Sequence, residues 1–350
     1  MTRIMKNRPT QKQIAEKLGL SAATVSLALR DNPVVAKATR DLVQQAMRDT
    51  GYVRNLAAAS LRTGRSNIVG VSFHTIAHSF FGDLLVAVQR VFDASGTVIL
   101  INNHEGDVEK LDRFISTLAT YGADALLVAP PPGTPMSVME RVGKHGMQVM
   151  YLGYHVEDDE DTDMVVVDER VAGELAARHL IDAGYERLCI IGGQGDGSVS
   201  RARVAGFRSV LEEQGVAWRD DLWTPCHLSP VDAVGALNAA LDRDPAPTGI
   251  VCSGNTVSRV ATTVLHDRGM VPGRDVGLVG IGSERGAESN VSTMTMVCGD
   301  MNNIGRLGAE TLLARLADPE MERCRLVIEP TLVMGRTSEG RKPQLKSKSA

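Results

Sequence analysis

The sequence predicts a small all-α head joined to an α/β body of two doubly wound, parallel-sheet lobes. Three observations lead there. Residues 1–65 hold 12 Lys or Arg against 4 Asp or Glu, a net of +8, so with −4 overall the other 285 residues carry −12. Near the N-terminus two short segments with helical apolar spacing flank one glycine, and from Asn67 onward short apolar runs alternate with amphipathic ones. At 350 residues the chain exceeds the usual size of one core, which fits a head and two lobes.

In the head, "QKQIAEKLGLSAATVSLALRDN" opens after Thr10, which can cap a helix carrying Ile14, Ala15 and Leu18. Gly19 supplies the turn and Ser21 caps a second helix. Val25, Ala28 and Leu29 form its inner face, leaving Ala22, Ala23, Ser26 and Leu27 to look outward. Two helices on a short glycine turn make a helix-turn-helix, whose second helix enters the DNA major groove by its N-terminal end. Small outer side chains suit a helix that slides between phosphate ridges, and alanine or leucine can contact thymine methyls. A third segment, "KATRDLVQQAMRDTGY", places Leu42, Val43, Ala46 and Met47 on one face and closes a three-helix core. A basic head on an acidic body suits a polyanion-binding module joined to one that does not bind polyanions. The alanine-rich stretch from Asn55 to Leu61 is too short to persist as a helix alone and would fold against a partner. "LRTGRSN" reads as a linker.

In the body, "NIVGVSF", "GTVILIN", "ADALLVA", "MQVMYLG" and "DMVVVD" are strand candidates separated by helices such as "FFGDLLVAVQRVFDAS". A second set follows in "RLCIIGG", "TGIVCSG", "DVGLVGIG" and the terminal "RLVIEPTLVMG". Strand and helix in alternation imply parallel sheets covered on both faces, and two facing lobes enclose a small molecule beyond the carboxyl ends of their strands.

Several classes are excluded. No run approaches a membrane span and "MTRIMKNRPT" is no signal peptide, so a cytoplasmic protein is expected. The five cysteines are widely spaced in mostly apolar surroundings, as reduced core thiols are, and neither a disulfide framework nor a metal site is expected. "GGQGDGS" and "GIGSERG" lack the third glycine of a dinucleotide loop, "HTIAH" lacks the glutamate of a zinc protease, and no "GxSxG" occurs. Neither an enzyme nor a cofactor is expected.

From residue 9 to about 337 the chain resembles the lac repressor and galactose repressor (LacI/GalR) family of bacterial transcription regulators. The resemblance is carried by "IAEKLGLSAATVSLALRDNPVVAKATRDLVQQAMRDTGYVRN", "AAASL", "HSFFGDLL", "VVVDERVAGELAARHLIDAGYERLCIIGG" and "RARVAGF". It implies a homodimer whose heads read a near-palindromic double-stranded operator, hinge helices that fold in the minor groove, and a cleft whose small-molecule effector alters DNA affinity. The body also resembles periplasmic sugar-binding proteins, although the attached head speaks against export. A cytoplasmic ligand-binding module whose head contacts protein is the alternative. The expected divisions are a head at 1–54, a hinge and linker at 55–66, and an N-terminal lobe at 67–167 plus 296–325. The C-terminal lobe takes 168–295 plus 326–338, and a disordered tail at 339–350 lacks the leucine heptads that would join dimers into tetramers.

By position, Thr24, Val25 and Ser26 match the family's "TVS", with hydroxyls on phosphate or base edges, and Ala22 and Ala23 fall where operator preference is set. Leu27 departs from the arginine of many relatives. Thr10, Ser21, Arg30, Asn55 and Ala58 complete the expected DNA contacts, and Leu61 matches the hinge leucine that wedges between base steps. For the effector, the resemblance implies Arg203 as an anchor whose removal would spare the fold, and places Gly153, Gly254, Asn255 and Ser283 where sugar-binding relatives carry Asp or Asn. Thr75, His78, Phe80 and Phe81 form the other wall, with aromatics suited to a ring-shaped ligand. The expected effector is sugar-like or another polar metabolite, with a common hexose disfavoured for want of acidic acceptors.

Overall fold

The computed structural model describes residues 9–29, 32–52, 65–77, 79–193, 197–227, 229–283 and 294–340. The chain divides into two compact units, residues 1–66 and 67–350. Arg30, Asn55, Ala58, Leu61 and His78, and nearly all of the predicted hinge and tail, lie outside the described residues.

The head contains α1 (Gln11–Leu18), α2 (Ala22–Ala28) and α3 (Lys37–Thr50). Thr10 caps α1 in a reciprocal box: its hydroxyl accepts from the Gln13 amide, and Gln13 Oε1 accepts from the Thr10 amide at 2.8 Å. Gly19 ends the helix at φ 64°, a conformation that favours glycine, and Ser21 Oγ accepts from the Thr24 amide to start α2. Ile14, Ala15, Val25, Ala28, Val43 and Ala46 form the core. Two sequence expectations are corrected here. Leu42 is 50% exposed, because it lies a hundred degrees around α3 from Val43, and Val43 with Ala46 takes the inner face. Leu27 is half-buried against the head core instead of facing outward.

The first lobe of the body contains β1 (Ile68–Phe73), α4 (Ser79–Ser95), β2 (Val98–Asn103), α5 (Val108–Thr120), β3 (Ala125–Val128), α6 (Met136–Lys144), β4 (Gln148–Gly153) and β5 (Asp163–Val167). The second contains α7 (Glu169–Asp182), β6 (Leu188–Ile191), α8 (Ser198–Glu213), β7 (Trp223–Thr224), α9 (Pro230–Leu241), β8 (Gly249–Ser253), α10 (Asn255–Asp267) and β9 (Gly277–Ser283). The chain ends with β10 (Thr295–Gly299), α11 (Met301–Ala317), β11 (Arg325–Ile328) and β12 (Thr331–Val333). The sheet orders are β11-β5-β4-β3-β1-β2 and β12-β10-β9-β8-β6-β7, so both lobes are wound alike. Among the described residues the pairings between these strands are parallel except that of β10 with β12.

Alternation along each strand explains the layers. In β3, Ala125 and Leu127 face Leu84, Val88 and Ile304 of α4 and α11, while Leu126 and Val128 face Leu111, Ile115 and Val142 of α5 and α6. In β6, Cys189 and Ile191 meet α9 and α10, while Leu188 and Ile190 meet α7 and α8. Cys189, Cys252 and Cys298 are buried and none of the five cysteines is in a disulfide, with burial pushing Cys189 up to about 12 and Cys226 to about 11.

The predicted lobe boundaries need two corrections. β10 hydrogen-bonds to β9 in the second lobe, so the return crossing follows Gly299 and not residue 295. The run read as one terminal strand is two: β11 pairs with β5 in the first lobe and β12 with β10 in the second. Both runs are apolar, and strand partners far away in sequence decide which sheet each joins. The three crossings lie side by side: the Asp168 amide donates to Ile328 O at 2.9 Å, and a Cβ on Gly299 would fall 2.6 Å from the Val167 side chain.

Helices α7 and α8 cross with their backbones almost touching. A Cβ on Gly173 would meet Arg203 O at 2.0 Å, and one on Gly206 would meet Arg170 O at 1.9 Å. Neither obstacle is a side chain that can turn away. Gly206→Ala should therefore force the helices apart and cost on the order of 3 kcal/mol in urea unfolding, whereas Gly235→Ala, where a Cβ meets nothing within 4 Å, should not destabilise.

Candidate functional site

The strand order reverses between β1 and β3 in one lobe and between β6 and β8 in the other. Chain segments leaving the carboxyl ends of neighbouring parallel strands diverge there and leave a crevice. The structure has a cleft of about 270 Å³ at that place, lined by His74 after β1, Pro130–Thr134 after β3, Gly193 after β6 and Ser253–Thr256 at the end of β8.

On the first lobe, Phe80, Phe81 and Tyr154 form an aromatic cluster. Phe80 and Phe81 meet edge to face at 5.0 Å, and Tyr154 lies 6.1 Å from Phe80 and 5.8 Å from Phe81. Gly153 permits this arrangement: its φ is 78°, and a Cβ there would sit 3.4 Å from the Phe80 ring. The segment carrying Tyr154, His155, Glu157 and Asp158 is held by buried Asp159. That carboxylate accepts from Tyr151 Oη at 2.7 Å, from Thr162 Oγ1 at 2.6 Å and from the amides of Asp161 and Thr162. Burial pulls His155 below the usual histidine range and raises the Tyr154 phenol.

On the second lobe, Arg203 lines the cleft, but its donors are engaged. Its Nε and Nη2 donate to the two oxygens of Glu169 at 2.6 and 2.9 Å, and Nη1 donates to Ser253 Oγ at 3.2 Å. Both side chains are under 10% exposed. The tight crossing of α7 and α8 brings Glu169, at the first turn of one helix, beside Arg203 in the other. Arg203 is therefore part of the core as well as of the cleft wall, and the expectation that its removal spares the fold is overturned.

Asn255 also lines the cleft and joins the lobes. Its Nδ2 donates to Ser79 Oγ of the first lobe at 2.8 Å and to Ser283 Oγ at 3.0 Å, while its Oδ1 accepts from the Ser283 amide. Arg201 and Glu157 form a second, half-exposed bridge between lobes. Of the residues expected at the effector, Phe80, Phe81, Arg203 and Asn255 come together around the cleft. Thr75, Gly153 and Ser283 are not among its lining: Thr75 Oγ1 accepts from the Ala77 amide, Gly153 supports Phe80, and Ser283 is fully buried behind Asn255. Tyr154, Glu169, Pro130–Pro132, Ser198 and Thr256 were not singled out from sequence. The signal available for Tyr154 was its place just past the carboxyl end of a strand.

His104 lies behind the cleft. Its Nε2 donates to Ala129 O at 2.9 Å, just before the proline run, and its Nδ1 accepts from the Gly106 amide at 3.0 Å, which fixes a neutral tautomer.

In the head, Ser21, Ala22 and Ala23 are exposed at the start of α2, Thr24 and Ser26 are half-buried, and Thr10 is exposed. A short helix entering by its N-terminus thus presents small side chains, as major-groove insertion requires.

A helix-turn-helix head on a two-lobed α/β body is the build of a DNA-binding transcriptional regulator. Residues 10–55 match the bacterial regulatory proteins of the lacI family, and residues 66–301 match the periplasmic binding proteins and sugar binding domain of the LacI family. The chain belongs to the LacI family. It is 26% identical over 330 residues to the HTH-type transcriptional repressor PurR of Erwinia tasmaniensis, covering 94% of this chain and 96% of that protein. To the maltose regulon regulatory protein MalI of Escherichia coli K12 it is 27% identical over 249 residues, 71% of this chain and 72% of that one. The lac repressor dimer bound to operator and the anti-inducer ONPF shares the fold, with a TM-score of 0.80 at 19% identity over 95% of this chain and 99% of that one. Among the described residues no helix is long and apolar enough to cross a membrane.

Two outcomes follow from these contacts. Arg203→Ala should destabilise the body by roughly 3–5 kcal/mol, because Glu169 would be left buried and unpaired, and the double change Arg203→Met with Glu169→Leu should recover most of that loss in urea unfolding. Burial pulls His104 from 6.5 to about 4. The unfolded chain therefore takes up a proton between those values that the folded chain refuses. The His104 contribution is complete above pH 6.5 and is lost as pH falls towards 4, amounting to ~3 kcal/mol across the window. His104→Gln should flatten the pH dependence of unfolding there relative to the parent.

Proposed function

We propose that the chain is a ligand-gated repressor acting in the cytoplasm as a homodimer on a near-palindromic operator. The observation that carries this reading is the cleft, lined from both lobes, on the same chain as a head whose second helix begins with exposed Ser21, Ala22 and Ala23. In the head, Ala22 and Ala23 set base preference, the hydroxyls of Thr10, Ser21, Thr24 and Ser26 reach phosphates or base edges, and Leu27 adds apolar contact at the rim of the core. In the body, Phe80, Phe81, Arg203 and Asn255 surround a small effector. A ligand alters operator affinity only by its different affinity for two arrangements of the lobes, and the Asn255 and Arg201 bridges distinguish such arrangements.

The test is selection of bound DNA from a random pool, followed by titration of the selected site at rising salt. Affinity should fall by about 0.9 log units per log unit of salt for each phosphate neutralised. Replacing Ala22 and Ala23 together by bulkier residues should change the selected sequence while leaving that slope in place, because those side chains face bases. A flat salt response would rule out DNA as the target of the head.

A further inference from the structure

We propose that the cleft is built for an uncharged, flat ring bearing hydrogen-bond acceptors along one edge, stacked on Phe80 with the Tyr154 phenol donating to that edge. The proposal rests on the reading of the cleft as the effector site and narrows the effector to one chemical class.

Among the described residues, the side-chain charges of the cleft oppose an anion. Both arginines among the lining residues are already matched by carboxylates of the chain, Arg203 by Glu169 and Arg201 by Glu157. An anionic ligand would have to displace Glu169, 6% exposed and held at two points, or meet it at close range. Asp158 adds a further negative charge to the lining. A phosphate or carboxylate therefore gains no uncommitted arginine.

The hydrogen-bonding groups also oppose a polyol. A sugar presents hydroxyls around its whole rim and is held by side-chain carboxylates and amides that can accept as well as donate. Here Glu169 and Glu157 are consumed by arginines, Asn255 uses its amide on Ser79 and Ser283, and among the described lining residues Asp158 is left as a carboxylate outside an ion pair. Donors collect instead on the wall of the second lobe. Helices α8 and α10 begin there, each without a side-chain cap, and Ser198 and Thr256 stand in their first turns. Amides without a side-chain cap at two helix starts favour a partly negative oxygen or nitrogen.

The opposite wall carries the rings, with Phe80, Phe81 and Tyr154 packed together and Pro130–Pro132 adding carbon surface, beside the polar His74, Thr134, His155, Glu157 and Asp158. Tyr154 joins the two chemistries. Its phenol makes no hydrogen bond among the described residues, and it feels both Arg203 and Glu169. It can thus donate to an acceptor on a ring stacked against Phe80. A volume of about 270 Å³ sits at the small end of ligand pockets, as a compact ring requires.

The experiment titrates the intact protein with three compounds, followed by ligand-observed NMR and by thermal shift. Benzamide carries an uncharged ring with a carbonyl edge, benzoate has the same shape with a negative edge, and glucose is an uncharged polyol without a flat apolar face. Benzamide should bind, benzoate should bind at least about tenfold more weakly, and glucose should give no response. Tyr154→Phe, which keeps the ring and the fold, should weaken benzamide by roughly five- to tenfold, and Phe80→Ala should remove its signal. Benzoate or glucose binding as well as benzamide would overturn the proposed class while leaving the cleft as the effector site. Benzamide binding that neither variant alters, or no response to any compound, would overturn it as well. Gating is read separately by titrating the selected operator with and without benzamide.

Discussion

The backbone contact between helices Glu169–Asp182 and Ser198–Glu213 governs the second lobe. Glycine on each helix, Gly173 and Gly206, lets the carbonyl of one approach where a side chain of the other would otherwise stand. That closeness sets Arg203 against Glu169, and the pair in turn acts electrostatically on Tyr154 in the cleft wall. A buried ion pair adds little net stability compared with apolar residues of similar size, yet leaving one member alone is costly. The pair therefore fixes where a charge can and cannot be placed in this wall.

Topology supplies the cleft and local chemistry furnishes it. Two sheets wound alike place the ends of β1, β3, β6 and β8 around one space, so backbone connectivity alone determines which segments line it. Asp159 then anchors a further lining segment, the one after β4, through four hydrogen bonds, and His104 ties the proline-bearing one to the end of β2. Two segments of the lining are thus held by groups behind them.

Much of this was legible in the sequence, because caps, turns and strand periodicity are local. Thr10, Gly19 and Ser21 act in the structure as their types suggest, and the alternation of β3 and β6 reports two-sided burial directly. What escaped was non-local. Nothing near Arg203 in sequence reveals that Glu169, 34 positions earlier, would occupy it. Leu42 and Val43 fit an apolar face equally well, and only the packing of α1 and α2 selects Val43. The strands at 295–299 and 325–328 are as apolar as their neighbours, and hydrogen-bond partners in β9 and β5 assign them.

The three crossings between lobes, at Asp168, after Gly299 and between Ile328 and Thr331, form a strap of adjacent chains linked by a hydrogen bond and a glycine contact. One connecting chain would let a lobe swivel freely, whereas three abreast resist twisting and sliding and yield only across their width. The strap is thus a flexure with a single soft axis. A movement of one lobe against the other would follow that axis.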